Sequence, residues 1–213
     1  MLIFGGSMLV ILAYLLGSIP FGLVLTRLFT SIDIRNAGSG NIGATNVRRL
    51  AGNLLGFLTL AGDILKGALP VLLAMALLRG EPRQLSETIT ICVAVGAFAG
   101  HLYPVYLGFK TGGKGVATAL GGCLVISPPA VLIFLLVFVL SVKFIRRVSV
   151  GSLFGAVVLV PAVGMFTGSA VYATGCLVMT GLIFIRHREN LKRILGGTEP
   201  TIDQKPEQEP LEN

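Results

Sequence analysis

Charge is what this chain has least of. Only 13% of its 213 residues are Asp, Glu, Lys or Arg, against about 25% in an ordinary soluble domain, while 54% are hydrophobic. With a mean hydropathy of +0.85, a soluble fold is excluded. Cysteine is scarce as well. Cys92, Cys123 and Cys176 each sit in an apolar run with no CxxC spacing, which excludes a disulfide framework or a thiolate metal site and leaves three small buried apolar residues. No internal repeat and no soluble catalytic domain is visible. The absence of an inverted repeat argues against a transporter, and any chemistry falls to loops and helix ends. The N-terminal run MLIFGGSMLVILAYLLGSIPFGLVLTRLF lacks a basic leader and exceeds a signal-peptide core of roughly 7–15 residues, so it reads as a retained first span.

What is present is a series of apolar runs: Phe4–Thr26, Leu54–Leu78, Thr88–Val105, Val116–Ile126, Ala130–Val142, Ser149–Met165 and Ala170–Ile185. A crossing takes about 20 residues. The fourth and fifth runs are short and meet at Pro128-Pro129, a helix breaker, so six or seven spans are compatible with the pattern. With the N-terminus outside and seven spans, 14 of the 17 Lys and Arg residues fall on the cytoplasmic side; Arg79 and Arg83 lie outside and Lys66 within a span. This bias favours N-out, C-in. Arg27, Lys143, Arg146 and Arg147 read as topology determinants. From Thr198 onward the sequence TEPTIDQKPEQEPLEN is polar and aperiodic, giving two segments: a polytopic membrane domain, 1–197, and a disordered polar tail, 198–213.

Three polar islands share the cytoplasmic face. The first contains Gly38, Ser39, Gly40, Asn41, Thr45, Asn46 and Arg49. The second runs from His101 through Gly112, Gly113, Lys114 and Gly115. The third holds Arg186, His187, Asn190 and Arg193. They are rich in backbone N–H groups, hydroxyls, amides and cations, and they contain one carboxylate, Glu189. Such a composition suits an anionic ligand. Gly108-Phe109-Lys110-Thr111-Gly112-Gly113-Lys114 fits the G-x-x-x-x-G-K pattern of a nucleotide P-loop, but Gly115 replaces the magnesium-holding Ser or Thr, and the loop follows an apolar run of helical length instead of a strand. What survives is a phosphate cradle made of backbone N–H groups, Lys114 and a helix beginning at Val116. His187 and Asn190 share a helical face; with Arg186 and Arg193 they form either a phosphate clamp or the amphipathic end of the last helix. Asp63 and Lys66, at i and i+3 in the second span, read as an ion pair that supports the site, with a direct role as the alternative.

These motifs, Gly38-Ser39-Gly40-Asn41-x-Gly43-Ala44-Thr45-Asn46, Gly100-His101-x-x-Pro104-Val105 leading to Gly112-Gly113-Lys114-Gly115-Val116-Ala117-Thr118, and Arg186-His187-x-x-Asn190-x-x-Arg193, resemble the three signatures of the bacterial membrane glycerol-3-phosphate acyltransferases that use acyl-phosphate donors, the PlsY family. The resemblance extends to about Gly197. It implies an all-α integral membrane protein with about seven spans in the inner membrane. It also implies transfer of a fatty acyl group from acyl phosphate to the 1-hydroxyl of sn-glycerol 3-phosphate, giving lysophosphatidate and inorganic phosphate in the first acylation of phospholipid synthesis. The donor is already activated, so no cofactor, ATP or metal is implied, and no nucleic acid. The implied partners are the two substrates, the bilayer and a soluble enzyme that makes acyl phosphate. The His-x4-Asp dyad of the other broad acyltransferase class is missing, since Tyr106 and Lys192 stand where its Asp would follow His101 and His187.

By position, Gly112–Gly115 with Lys114 hold a phosphate, and Arg49, His187 and Asn190 hold glycerol 3-phosphate. Ser39, Asn46 and the first-island glycines position the donor and stabilise the oxyanion, while His101 orients the network. The general base is left open between a substrate phosphate, His187 and His101.

Overall fold

The structure, a computed structural model, describes residues 2–204. It is helical: α1 Leu2–Gly17, α2 Phe21–Phe29, α3 Ala44–Leu77, α4 Arg83–Leu102, α5 Val116–Ile126, α6 Pro128–Ile145, α7 Val148–Thr167, α8 Ala170–Arg186 and α9 Arg188–Leu195, with a 3-10 turn at Val105–Leu107. Five segments are long and apolar enough to cross a bilayer: Gly5–Phe29, Ala44–Leu77, Arg83–Leu107, Pro128–Ile145 and Val148–Thr167. A sixth arises if α8 and α9, bent by 58°, are taken together. Seven long spans are therefore not found among the described residues. The deficit lies at α5, whose 11 residues fall short of the roughly 20 that a crossing needs.

Proline and glycine place the breaks. Pro20 interrupts the first apolar run between α1 and α2. Pro128 occupies the first position of α6, where its missing N–H costs nothing, and so separates α5 from α6. The fifth run is extended at both ends into an 18-residue helix. Gly52, with φ 89°, kinks α3 so that its first two turns carry Asn46, Arg48 and Arg49 while the rest forms the second apolar run.

The bundle closes because its helices touch through small residues. The main contacts are α6 with α7, α3 with α5, and α1 with α4; α4 and α5 lie inside, and α8 packs on α4 and α7. A Cβ on Gly67 would stand 2.0 Å from the Thr118 carbonyl oxygen, and one on Gly121 2.0 Å from that of Ile64, so α3 and α5 meet backbone to backbone. Such contact replaces the hydrophobic driving force that lipid removes. The outer helices show the converse. Leu132, Leu136, Phe144, Leu54 and Leu72 are exposed, as expected of side chains facing acyl chains.

Gly67→Val should destabilise the protein by more than the ~1–3 kcal/mol typical of core overpacking, since a backbone carbonyl cannot rotate away. Gly181→Ala, with nothing within 4 Å of the added carbon, should be neutral. Melting temperatures in detergent check both; equal loss, or none, contradicts the α3–α5 contact.

Candidate functional site

The three islands meet at one end of the bundle, joined by a segment expected to be disordered. Residues 198–204 cross this end as a strap. Ile202 N–H donates to the Arg146 carbonyl and the Ile202 carbonyl accepts from Arg48 at 3.1 Å. Arg147 Nε donates to the Glu199 carbonyl at 3.2 Å, and Arg146 pairs with Asp203. Arg146 and Arg147, expected only as topology determinants, thus hold the strap. The rest of the tail, 205–213, and with it Lys205, lies outside the described residues.

In the first island, Asn46 is buried and its carboxamide organises the loop. Nδ2 donates to the carbonyls of Ile34, Ala37 and Asn41 at 3.0–3.2 Å, and Oδ1 accepts from Ser39 N–H at 3.0 Å. Asn41 Oδ1 accepts from Gly43 N–H at 2.8 Å. Gly38 and Gly40 have φ of 60° and 66°, and a Cβ on Gly38 would lie 2.5 Å from Asn46 Oδ1. The result is a tight turn that presents Ser39 exposed, with Thr45 half-buried at the start of α3. Arg49, one turn beyond Asn46, has a buried Nε with no hydrogen-bond partner among the described residues.

The second island packs onto the end of α4. Gly113 N–H donates to the His101 carbonyl at 3.0 Å. Arg186 donates to the Gly112 carbonyl at 2.7 Å and the Gly113 carbonyl at 3.1 Å, tying both down. Gly115, with φ 82°, precedes α5, whose first-turn N–H groups have no intrahelical acceptor. A Cβ at 115 would meet Phe98 Cε2 at 2.3 Å, so the P-loop Ser or Thr is excluded here by both backbone and space.

Lys114 lies beside this helix start. Burial pushes its pKa down to about 8, opposed by Glu199 and reinforced by Arg193, Arg49 and Arg186. Lys114, Arg49 and Arg193 thus share one carboxylate, and Arg186 adds its charge beside Lys114. Glu199 is buried and accepts from Ser149 Oγ at 2.6 Å, Asn190 Nδ2 at 2.6 Å and Arg193 Nε at 2.8 Å. Burial opposes its ionisation, but these hydrogen bonds and the Arg193 charge hold its pKa below the usual carboxylate value.

His187 caps α8 with its Nδ1 2.8 Å from the Ile183 carbonyl. A carbonyl only accepts, so Nδ1 carries the proton and Nε2 keeps its lone pair. Burial, then the Lys114 charge, push its pKa down to about 4.

All three sequence islands are therefore brought together. The sequence reading missed Glu199, Ser149 and the strap. The available signal was charge: Glu199 is the first acid after the basic helix that ends with Lys192 and Arg193.

The chain is similar to known proteins. A family model described as glycerol-3-phosphate acyltransferase matches residues 7–197. The chain is 52% identical to the glycerol-3-phosphate acyltransferase of Syntrophotalea carbinolica over 88% of its own length and 92% of the relative's. It is 45% identical to that of Myxococcus xanthus over 91% and 97% of the two chains. Among solved structures it resembles PlsY, an integral membrane glycerol 3-phosphate acyltransferase, in its glycerol 3-phosphate form, with TM-score 0.85 and 38% identity over 92% of this chain and 95% of that one. The lysophosphatidic acid form of PlsY gives TM-score 0.83 at 37% identity over the same shares of the two chains. With its apolar helices and its polar islands gathered at one end, the chain belongs to the PlsY family of integral membrane glycerol-3-phosphate acyltransferases.

Proposed function

We propose that the chain transfers a fatty acyl group from acyl phosphate to the 1-hydroxyl of sn-glycerol 3-phosphate, releasing lysophosphatidate and inorganic phosphate. The gathering of Lys114, Arg49, Arg186 and Arg193 about a loop of glycines carries this reading, because both substrates are phosphates and both must be held beside each other. The site faces the cytoplasm of the bacterial inner membrane. Counting α5 and α8 with the five long segments gives seven passes, N-out and C-in, which leaves the cationic loops inside. A soluble enzyme that makes acyl phosphate would deliver the donor to this face.

In the proposed step the glycerol hydroxyl attacks the acyl carbonyl carbon. The new ester C–O bond forms, the carbon–oxygen bond to phosphate breaks, and phosphate leaves with the electron pair. Gly112, Gly113 and Gly115 with Lys114 hold one phosphate, and Arg49 with its unpartnered Nε holds the other, beside Asn190. The turn of Gly38, Gly40 and Asn41, with the Ser39 and Thr45 hydroxyls, positions the donor and stabilises the oxyanion. Asn46, Arg186 and Arg193 act by holding the loops, since their side chains are engaged there. His187 Nε2 accepts a hydrogen bond from the attacking hydroxyl and orients it. A His with a pKa of about 4 is a weak base, whereas a phosphate monoester has a second pKa of about 6, so the proton passes to a substrate phosphate oxygen.

Purified protein given acyl phosphate and glycerol 3-phosphate should form lysophosphatidate and phosphate in equal amounts; no product refutes the reading. Lys114→Ala should lower kcat/KM about 10- to 100-fold, the value of one charge-assisted hydrogen bond, and Ser39→Ala and His187→Ala should lower turnover. Near-normal kinetics in all three removes the assignment. The Lys114 pKa of about 8 also fixes a pH dependence. The cation is present below that value and is lost above it, so kcat/KM should fall as pH rises through about 8. Lys114→Arg should abolish this alkaline fall, because guanidinium stays protonated; an unchanged profile would separate Lys114 from substrate binding.

A further inference from the structure

Below the phosphate loop lies a charged cluster with no evident purpose in packing. Asp63 and Lys66 are almost wholly buried inside α3. Lys66 Nζ is 2.9 Å from Asp63 Oδ1 and donates to the Ile19 carbonyl at 2.8 Å, at the break before Pro20. The same Asp63 Oδ1 faces His101 Nδ1 at 3.5 Å. An apolar pair of similar volume would usually be as stable as a buried ion pair, so stability alone does not account for one here.

The other edge of the imidazole ring shows what it touches. A Cβ on Gly113 would lie 1.9 Å from His101 Nε2, and one on Gly112 1.7 Å from the Leu102 carbonyl oxygen. The loop therefore rests directly on the ring and on the end of α4, with no slack between them. Rotation of the ring would move Gly113 itself. His101 Nδ1 has no hydrogen-bond partner among the described residues, and Asp63 Oδ1 is the acceptor it faces.

We infer that Asp63 is the positioning residue of the phosphate loop: with Lys66 as counter-charge, its carboxylate fixes the His101 ring, and the ring sets Gly113 at the spacing that phosphate requires. This rests on the acyltransferase reading only for the name of the ligand. Phosphate affinity is its direct readout.

The test is a thermodynamic cycle. Asp63→Leu/Lys66→Met removes the pair without leaving a lone charge. The variant should purify folded, and its KM should rise roughly 10- to 100-fold for the phosphate substrate whose KM also rises in Lys114→Ala, with kcat changed much less. The stabilisation of the parent by inorganic phosphate, read as a shift in melting temperature, should be lost in the variant. His101→Gln, which leaves the ion pair intact, should produce the same losses, and the triple variant should be no worse than either. A folded double variant with parental KM and phosphate shift, or effects that add in the triple variant, overturns the inference. Should the double variant not fold, His101→Gln decides alone: parental phosphate affinity overturns the inference. A parent that binds phosphate yet makes no lysophosphatidate instead counts against the acyltransferase reading and leaves the loop measurement standing.

Discussion

Everything at this end of the molecule follows from bringing like charges together. Lys114, Arg49, Arg186 and Arg193 share a partly buried space; burial first, and then the charges of Arg193, Arg49 and Arg186, lower the pKa of Lys114 against the pull of Glu199. Such a cluster is stable only with anions inside it. The chain supplies one, the Glu199 carboxylate, fastened by Ser149, Asn190 and Arg193. The charge left over is an attraction for anions. Arg186 limits the cost differently: it spends its donors on the Gly112 and Gly113 carbonyls, so one cation both shapes the loop and turns the loop's acceptors away from an incoming anion.

A bilayer sets the second constraint. Helices in lipid gain little from burying Leu or Val against each other, so the platform is built from close backbone contact. Gly67 and Gly121 bring α3 and α5 together, and α5 is the helix that begins directly after the Gly112–Gly115 loop. Its shortness suits that place. Enclosed by α3, α4, α6 and α7, it is shielded from lipid by its neighbours and can be shorter than the roughly 20 residues of a lipid-facing span. The positive φ of Gly115 turns the chain from loop to helix there, and Phe98 and Leu102 fill the space that the magnesium ligand of a nucleotide P-loop would need.

Much of this was legible in the sequence because hydropathy and charge are local signals. The run Val116–Ile126 returns as α5 with the same ends, and Ala170–Ile185 and Ser149–Met165 return nearly unchanged as α8 and α7. The three islands were recognisable by residue type. What stayed hidden depends on partners distant in sequence. Glu199 looks like the start of a solvated acidic tail until Ser149, 50 residues earlier, is seen to donate to it. Asn46 looks like a ligand-binding amide until its donors and acceptor are found engaged with the loop backbone. The extension of α3 back to Ala44 was obscured by Gly52, a helix-unfriendly residue that here makes a kink without ending the helix.

The central claim is that Lys114 holds a substrate phosphate. It can be read at the ammonium itself, by following the titration of 15N-labelled Lys114 in the free protein and again with saturating glycerol 3-phosphate or an acyl phosphonate analogue of the donor. The account predicts a midpoint near the value of about 8 in the free protein and a clear upward displacement with one of these ligands, because a bound anion favours the charged form. A midpoint that neither ligand moves would contradict it.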